Sequence, residues 1–267
     1  MSGTAEVGEP NHDWSATLLS AGVVAAILIV WELTVRVFAV KAVILPPPSA
    51  VLIELLKEPV WYLSHAWHTL LITLGGFILA VVVGVALAVL IVESKLFEKT
   101  VYTLIVGMNS IPKVAVAPLF VIWLGTGAEP KIAIAFLIAV FAIVIDTVLG
   151  LRSVPPDILD LGRALRGTRA MMLWRIRFPC ALPSMFAGMK VAIGLALVGA
   201  IVGEFVSSQR GLGYVILAAQ GTFDTARVFA AIFLLALLGI ALFGLLARIE
   251  HVLLPWHASQ KEYSQNE

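Results

Sequence analysis

The sequence predicts an all-α, polytopic membrane protein with six transmembrane helices, and three observations carry that prediction. The chain of 267 residues is 60% apolar and 13% charged, with a mean hydropathy of +1.00. Soluble domains lie nearer roughly 45–50% apolar and about 25% charged. The apolar residues gather into six windows of roughly 20 residues, the length at which a helix crosses a bilayer. One arginine-dense loop, Arg152 to Leu182, interrupts them, setting Arg152, Arg163, Arg166, Arg169, Arg175 and Arg177 against Asp157 and Asp160. Loops of that kind stay in the cytoplasm because positively charged segments translocate poorly.

The windows fall at about 16–38, 69–92, 101–124, 131–151, 184–206 and 228–249. They form a single transmembrane domain over 16–257, with a cytoplasmic loop at 152–182 and cytoplasmic tails at 1–15 and 258–267. With the arginine loop inside, Lys95 and Lys99 also lie inside, as do Arg248, His251 and Lys261, and both termini are cytoplasmic. The N-terminal residues lack the basic region of a secretory signal, so the first apolar window is expected to remain as an anchor. One cysteine, Cys180, allows no internal disulfide and no metal-ligand spacing. The net charge of +1 points to no class of partner.

Span one carries Glu32 and Arg36 at i,i+4, the spacing of a local ion pair. After it, Pro46-Pro47-Pro48-Ser49 imposes an extended entry, and Ser49 is placed to cap a short amphipathic helix at the outer surface. Trp61, Tyr62 and Trp67 fit an interfacial aromatic belt. His65 and His68 are i,i+3 neighbours with no further metal ligands in sight. Span two carries a four-residue stripe of Gly76, Ala80, Gly84 and Ala88. Span five repeats it with Gly188, Ala192, Ala196 and Ala200, joined by Gly199 and Gly203. Small stripes let helix backbones approach closely in lipid, so both helices are expected at packing seams.

Span three holds Lys113 between Pro112 and Pro118, which are expected to bend the helix as it lines a cavity. Two readings of Lys113 stand: it holds an anionic substrate at the midplane, or it snorkels or pairs with Asp146. Asp146 and Lys190, near the inner ends of their spans, read as gate or interface residues. Glu204, near the outer end of span five, is placed to gate or orient the outer mouth. The sequence offers no nucleophile elbow, P-loop or metal cluster, so this chain is not expected to be an enzyme, and energy for active transport must come from elsewhere.

The arginine loop reads as two short helices around a break at Gly167–Thr168, closed by Pro179 and Pro183. Its stretch Asp160-Leu161-Gly162-Arg163-Ala164-Leu165-Arg166-Gly167-Thr168-Arg169, followed by Pro179, resembles the EAA loop of bacterial ABC importer permeases. Aligned through Pro179, Asp160 takes the family's glutamate position, Leu161 and Gly162 its two alanines, and Arg166 its glycine, with Gly167 one residue late. Leu45 to Val51, Ile111 to Gly127, Arg210 to Ile216 and Pro255-Trp256-His257 are similar to the nitrate/sulfonate/taurine type. Ile72 departs from the arginine often found there.

The resemblance implies a permease with the type I importer fold in a bacterial inner membrane. It also implies a homodimer that works with two cytoplasmic ABC ATPases and an extracytoplasmic solute-binding protein. No cofactor is expected in this chain, since ATP and Mg belong to the ATPase. Asp160, Leu161, Gly162, Arg163, Arg166, Gly167, Thr168 and Arg169 are then the ATPase-coupling residues, with some arginines facing anionic membrane lipid and none facing nucleic acid. Lys113, Pro112, Pro118 and Glu204 mark the path of a small anionic solute. An ion-coupled carrier without an ATPase is the alternative class.

Overall fold

The computed structural model describes residues 14–102, 104, 107 and 111–255. The tails, part of span three including Ser110, and Trp256-His257 lie outside the described residues. Helix α1 is Trp14–Val37, α2 is Pro48–Lys57 and α3 is Pro59–Glu93. After α3, a turn of helix at Lys95–Phe97 leads into a π turn at Glu98–Tyr102. A 3-10 turn at Lys113–Val116 then opens into α4, Ala117–Leu124. Helix α5 is Glu129–Arg152 and α6 is Pro156–Ala164. A continuous helix, α7, runs Arg169–Ser207, followed by α8 at Leu212–Gly221 and α9 at Thr225–Leu253.

Among the described residues, α3, α5, α7 and α9 are long and apolar enough to cross a membrane. Helix α1 covers the first predicted span and packs chiefly on α2. Helix α5 is the hub: 56% of its most apolar window is buried, against 22% in α9. The small stripes explain why. A Cβ on Gly76 would sit 2.4 Å from Ala135 Cβ, and one on Gly199 would sit 2.6 Å from Ala135 Cα. Helices α3 and α7 therefore clasp α5 at the distance that only small residues permit. The main core, with Ala80, Ala88, Ile143, Val144, Val148, Ala192 and Ala196, fills that seam.

Several local expectations are corrected by the packing. In the described part of the third span, the two prolines stand at a break before α4 rather than inside one bent helix. Pro112 stands before the 3-10 turn, and Pro118 lies in the first turn of α4, where its missing N–H costs nothing. Pro179 and Pro183 do not close the second short helix. The chain passes through a π turn at Leu173–Arg177, which spares it a break, and Pro183 lies inside α7. Ser49 does not cap α2 with its side chain. Instead the Glu32 carboxylate accepts the Ser49 N–H at 3.0 Å and its hydroxyl at 2.8 Å. Glu32 also pairs with Arg36 at 2.6 Å, as the spacing implies. Tyr62 is 2% exposed and belongs to a core with Leu197, Leu212 and Val215 rather than to an interfacial belt.

Candidate functional site

At one end of the bundle, α5, α6 and α7 meet in the arginine elbow. Helix α6 ends in a Schellman turn: Arg166 N–H donates to Arg163 O at 2.9 Å, and Gly167 N–H donates to Gly162 O at 2.9 Å. That geometry puts Arg166 at φ +56, the left-handed conformation that glycine adopts without a Cβ penalty. The residue aligned with the glycine of the EAA loop thus occupies the one backbone state that calls for glycine. Gly167 needs its own lack of side chain for space, since a Cβ there would meet Gly162 O at 2.8 Å. Thr168 then caps α7, its hydroxyl accepting the Met171 N–H at 3.2 Å.

Gly162 is buried, and a Cβ on it would touch Ile176 and Met172. Helix α6 therefore lies on the first turns of α7. Asp160, Leu161, Arg163, Arg166 and Arg169 are exposed. Asp160 and Arg163 pair at 2.6 Å, with both side chains about two thirds in solvent (66% and 64%), and such a surface pair contributes at most about 1 kcal/mol. Arg152 reaches Glu98 at 2.8 Å, tying the end of α5 to the π turn after α3. A cavity of about 680 Å³ opens between the end of α3 and the elbow, lined by Glu93, Lys95, Arg163, Gly167, Arg169 and Arg177 among others. The structure thus brings the sequence-predicted elbow residues onto one projecting helix–turn–helix.

In mid-bundle, the Lys113 ammonium stands 4.3 Å from the centroid of the Phe141 ring, a cation–π contact with α5. Pro112 and Pro118 are exposed beside it. Asp146 packs against α7, where a Cβ on Gly188 would lie 2.8 Å from its Oδ2. Lys190 pairs with Glu250 of α9. Lys113, Asp146 and Lys190 thus sit at three separate contacts rather than in one charge cluster.

The far end holds two networks that sequence reading only partly located. In the first, Glu204 is 1% exposed. Its carboxylate accepts the Thr69 hydroxyl at 2.9 Å and the Gly213 N–H at 2.7 Å. Thr69 Oγ1 in turn accepts the Leu212 N–H at 2.8 Å, and His65 Nδ1 accepts the Gly211 N–H at 2.9 Å. The first turn of α8 is thereby latched onto α3 and α7. Gly211 sits at φ +106, and a Cβ on it would lie 2.0 Å from Glu204 Oε1. Glu204, expected to gate or orient the outer mouth, is a buried anchor that orients the Arg210–Gly213 loop.

The second network centres on Glu54, 4% exposed. It accepts from Lys57 at 2.7 Å, from Arg227 at 3.2 Å and from Tyr62 at 3.4 Å, pinning α2 to α3 and α9. Burial alone pushes the Glu54 carboxyl up, but its bonds to Lys57 and Arg227 outweigh that and hold it below the ordinary value. Asp224 caps α9 at the Arg227 N–H, 3.1 Å away. Neither Glu54 nor Arg227 was singled out by sequence. The available signal was that Glu54 follows Val51 by three residues and so shares the buried face of α2.

Residues 76–253 match the family model described as "Binding-protein-dependent transport system inner membrane component". The chain is similar to the formylaminopyrimidine transport permease protein of Halalkalibacterium halodurans, 34% identical over 88% of this chain and 94% of that protein. It is also similar to the taurine transport system permease protein of Escherichia coli, 29% identical over 90% of each. Its fold is similar to a chain of the inward-facing MetNI methionine ABC transporter, with a TM-score of 0.65 and 18% identity. That likeness covers 73% of this chain and 97% of the other.

Proposed function

From the premise that this chain belongs to the binding-protein-dependent transport system inner membrane component family, we propose that the elbow from Asp160 to Arg169 couples it to ATP hydrolysis. The chain is a permease subunit of an ABC importer, an inner membrane component that works with a separate ATPase and a solute-binding protein. It is not itself the enzyme. ATP and Mg would be held by the partner ATPase.

The observation that carries the coupling proposal is mechanical. Helix α6 projects from the bundle with Asp160, Leu161 and Arg163 exposed, yet its Schellman turn and Gly162 contacts lock it to a 39-residue helix that runs the depth of the molecule. A rigid arm on a spanning helix passes a push at the elbow to the far end. Leu161, 61% exposed at the crest, is the apolar residue that an ATPase groove would take, with Asp160, Gly162, Arg163, Arg166, Gly167, Thr168 and Arg169 shaping the contact. This reading places the elbow and both termini in the cytoplasm, and some of the arginines against anionic lipid.

The path would run beside α4. Lys113, with Pro112 and Pro118, borders a face on which Val114, Leu119, Ile122 and Trp123 are exposed, and a second copy of the chain would supply the opposite wall. A solute with an anionic group fits Lys113, while Glu204 orients the outer mouth. Asp146 and Lys190 lie between α5, α7 and α9, where sliding helices would register as a gate.

The test is co-purification of the ATPase from native membranes. Gly167→Leu, which drives a side chain into Gly162 O, is expected to lose the ATPase while the permease still purifies. Equal ATPase recovery and equal ATP-driven uptake in that variant would overturn the coupling role.

A further inference from the structure

At the far end, between α3, α5 and the Ser207–Arg210 loop, lies a cavity of about 750 Å³ that none of the networks above uses. Its polar lining includes His68, Lys131, Ser207 and Arg210. Two of these are orphans: His68 Nε2 and Ser207 Oγ are buried without a hydrogen-bond partner. Buried polar atoms are normally paired, so two unpaired ones beside one cavity mark a place where a polar partner is missing. Lys131 is 5% exposed and makes a hydrogen bond at 3.0 Å to Ser208 Oγ. Ser208 Oγ also accepts the Arg210 N–H at 3.2 Å, so the lysine and the arginine loop are tied together.

The charges decide what fits. Lys131 and Arg210 both act electrostatically on the His68 ring. The carboxylates that act on Lys131 are Glu204 and Glu129. Glu204 is already engaged by Thr69 and Gly213, while Glu129 lies against Gly127 at the rim. Two cations, a hydroxyl and an imidazole thus line one cavity, with the Glu129 carboxylate beside its Gly127 wall. An oxyanion in the cavity would accept from the Lys131 ammonium and the Arg210 guanidinium, and side-chain rotation of Ser207 and His68 would bring their buried hydroxyl and ring N–H to it.

The geometry points to a binding subsite for a small oxyanion, of the sulfonate, sulfate or carboxylate kind, formed by His68, Lys131, Ser207 and Arg210 at the mouth opposite the elbow. It rests on the reading that this chain carries an anionic solute, and it gives that solute a first station before Lys113. The α3 helix divides its labour over one turn: His65 holds the latch and His68 faces the cavity.

The experiment uses the full-length chain in phosphatidylcholine nanodiscs, with trifluoromethanesulfonate as the probe, followed by fluorine NMR line broadening. The wild-type protein is expected to bind the probe, and sodium sulfate to displace it. Arg210→Gln, at an exposed position that leaves the bundle packing alone, is expected to weaken binding about tenfold, and Lys131→Met at least as much. Ser207→Ala should weaken it by a smaller factor. Equal affinity in wild type, Arg210→Gln and Ser207→Ala overturns the subsite. Repeating the titration in phosphatidylglycerol nanodiscs separates the sources. Unchanged probe affinity supports a soluble anion, whereas loss of the probe there assigns the site to a lipid headgroup and overturns it. Because binding is read without ATP, its failure leaves the coupling role intact, and failed ATPase recovery leaves the subsite intact.

Discussion

The elbow and the far-end latch are built from opposite kinds of contact. In the elbow, the defining bonds join residues close in sequence: Gly167 to Gly162, Arg166 to Arg163, Met171 to Thr168, Arg163 to Asp160. Most of its charges are exposed. In the latch, Thr69 meets Glu204 across 135 residues and Gly211 meets His65 across 146, and in the neighbouring Glu54 network Arg227 meets Glu54 across 173, all at buried or half-buried positions. An arm that meets a partner must keep its shape while its surface stays free, and local bonds achieve that. A mouth that holds three helices at fixed separation needs partners from each of them, and in a low-dielectric setting each missing partner is costly. Substitutions should therefore separate the two ends: the latch loses stability, and the elbow loses coupling.

The largest expected effect is at Gly211. Any side chain there collides with the Glu204 carboxylate, and φ +106 is strained for all but glycine. Gly211→Val should lower stability by more than about 3 kcal/mol, read as a fall in the detergent melting temperature. An unchanged melt would mean that the latch does not hold the mouth.

An intermediate effect is expected at Arg227. Arg227→Met leaves Glu54 buried with Lys57 as its remaining cation and should cost about 1.5 kcal/mol, after discounting for the partial exposure of Arg227. The pH dependence has a definite sign. Glu54 is held below its ordinary value in the folded protein, so its stabilisation is complete above the ordinary carboxylate value and disappears as pH falls through the lower, folded one. Wild-type melting should stay flat as pH is lowered and decline only below about pH 4. In Arg227→Met burial gains against the remaining bond to Lys57, so the Glu54 share of that decline should shrink or reverse, and the variant should lose less stability than wild type as pH falls through the carboxylate range. Superimposable pH profiles would remove Glu54 as the tie between α2 and α9.

The smallest effect has the opposite direction. Arg166→Gly relieves a left-handed arginine and should raise stability by about 1 kcal/mol. Because Arg166 is exposed, ATPase recovery in this variant also asks whether its guanidinium, rather than its backbone, makes the contact. A lower melting temperature would refute the strain argument.

The sequence by itself determined the all-α membrane class, the placement of the long spans, the elbow and its break near Gly167, and the Glu32–Arg36 pair. These depend on apolar run length, glycine and proline chemistry, and i,i+4 spacing, all of which are local quantities. The small stripes announced seams, and the seams formed. Only the tertiary structure decided which helix stood between them, because α5 carries no such stripe and becomes the hub through what packs on it. It also turned Pro118 from a kink into a helix start, and it gave Glu204, read as a residue that gates or orients the outer mouth, its buried partners Thr69 and Gly213. It placed Glu54 with Arg227, and His68 with Lys131 and Arg210. Charges gathered from distant turns of different helices leave no periodic trace in a chain, since their meeting depends on helix rotation and spacing, which packing sets.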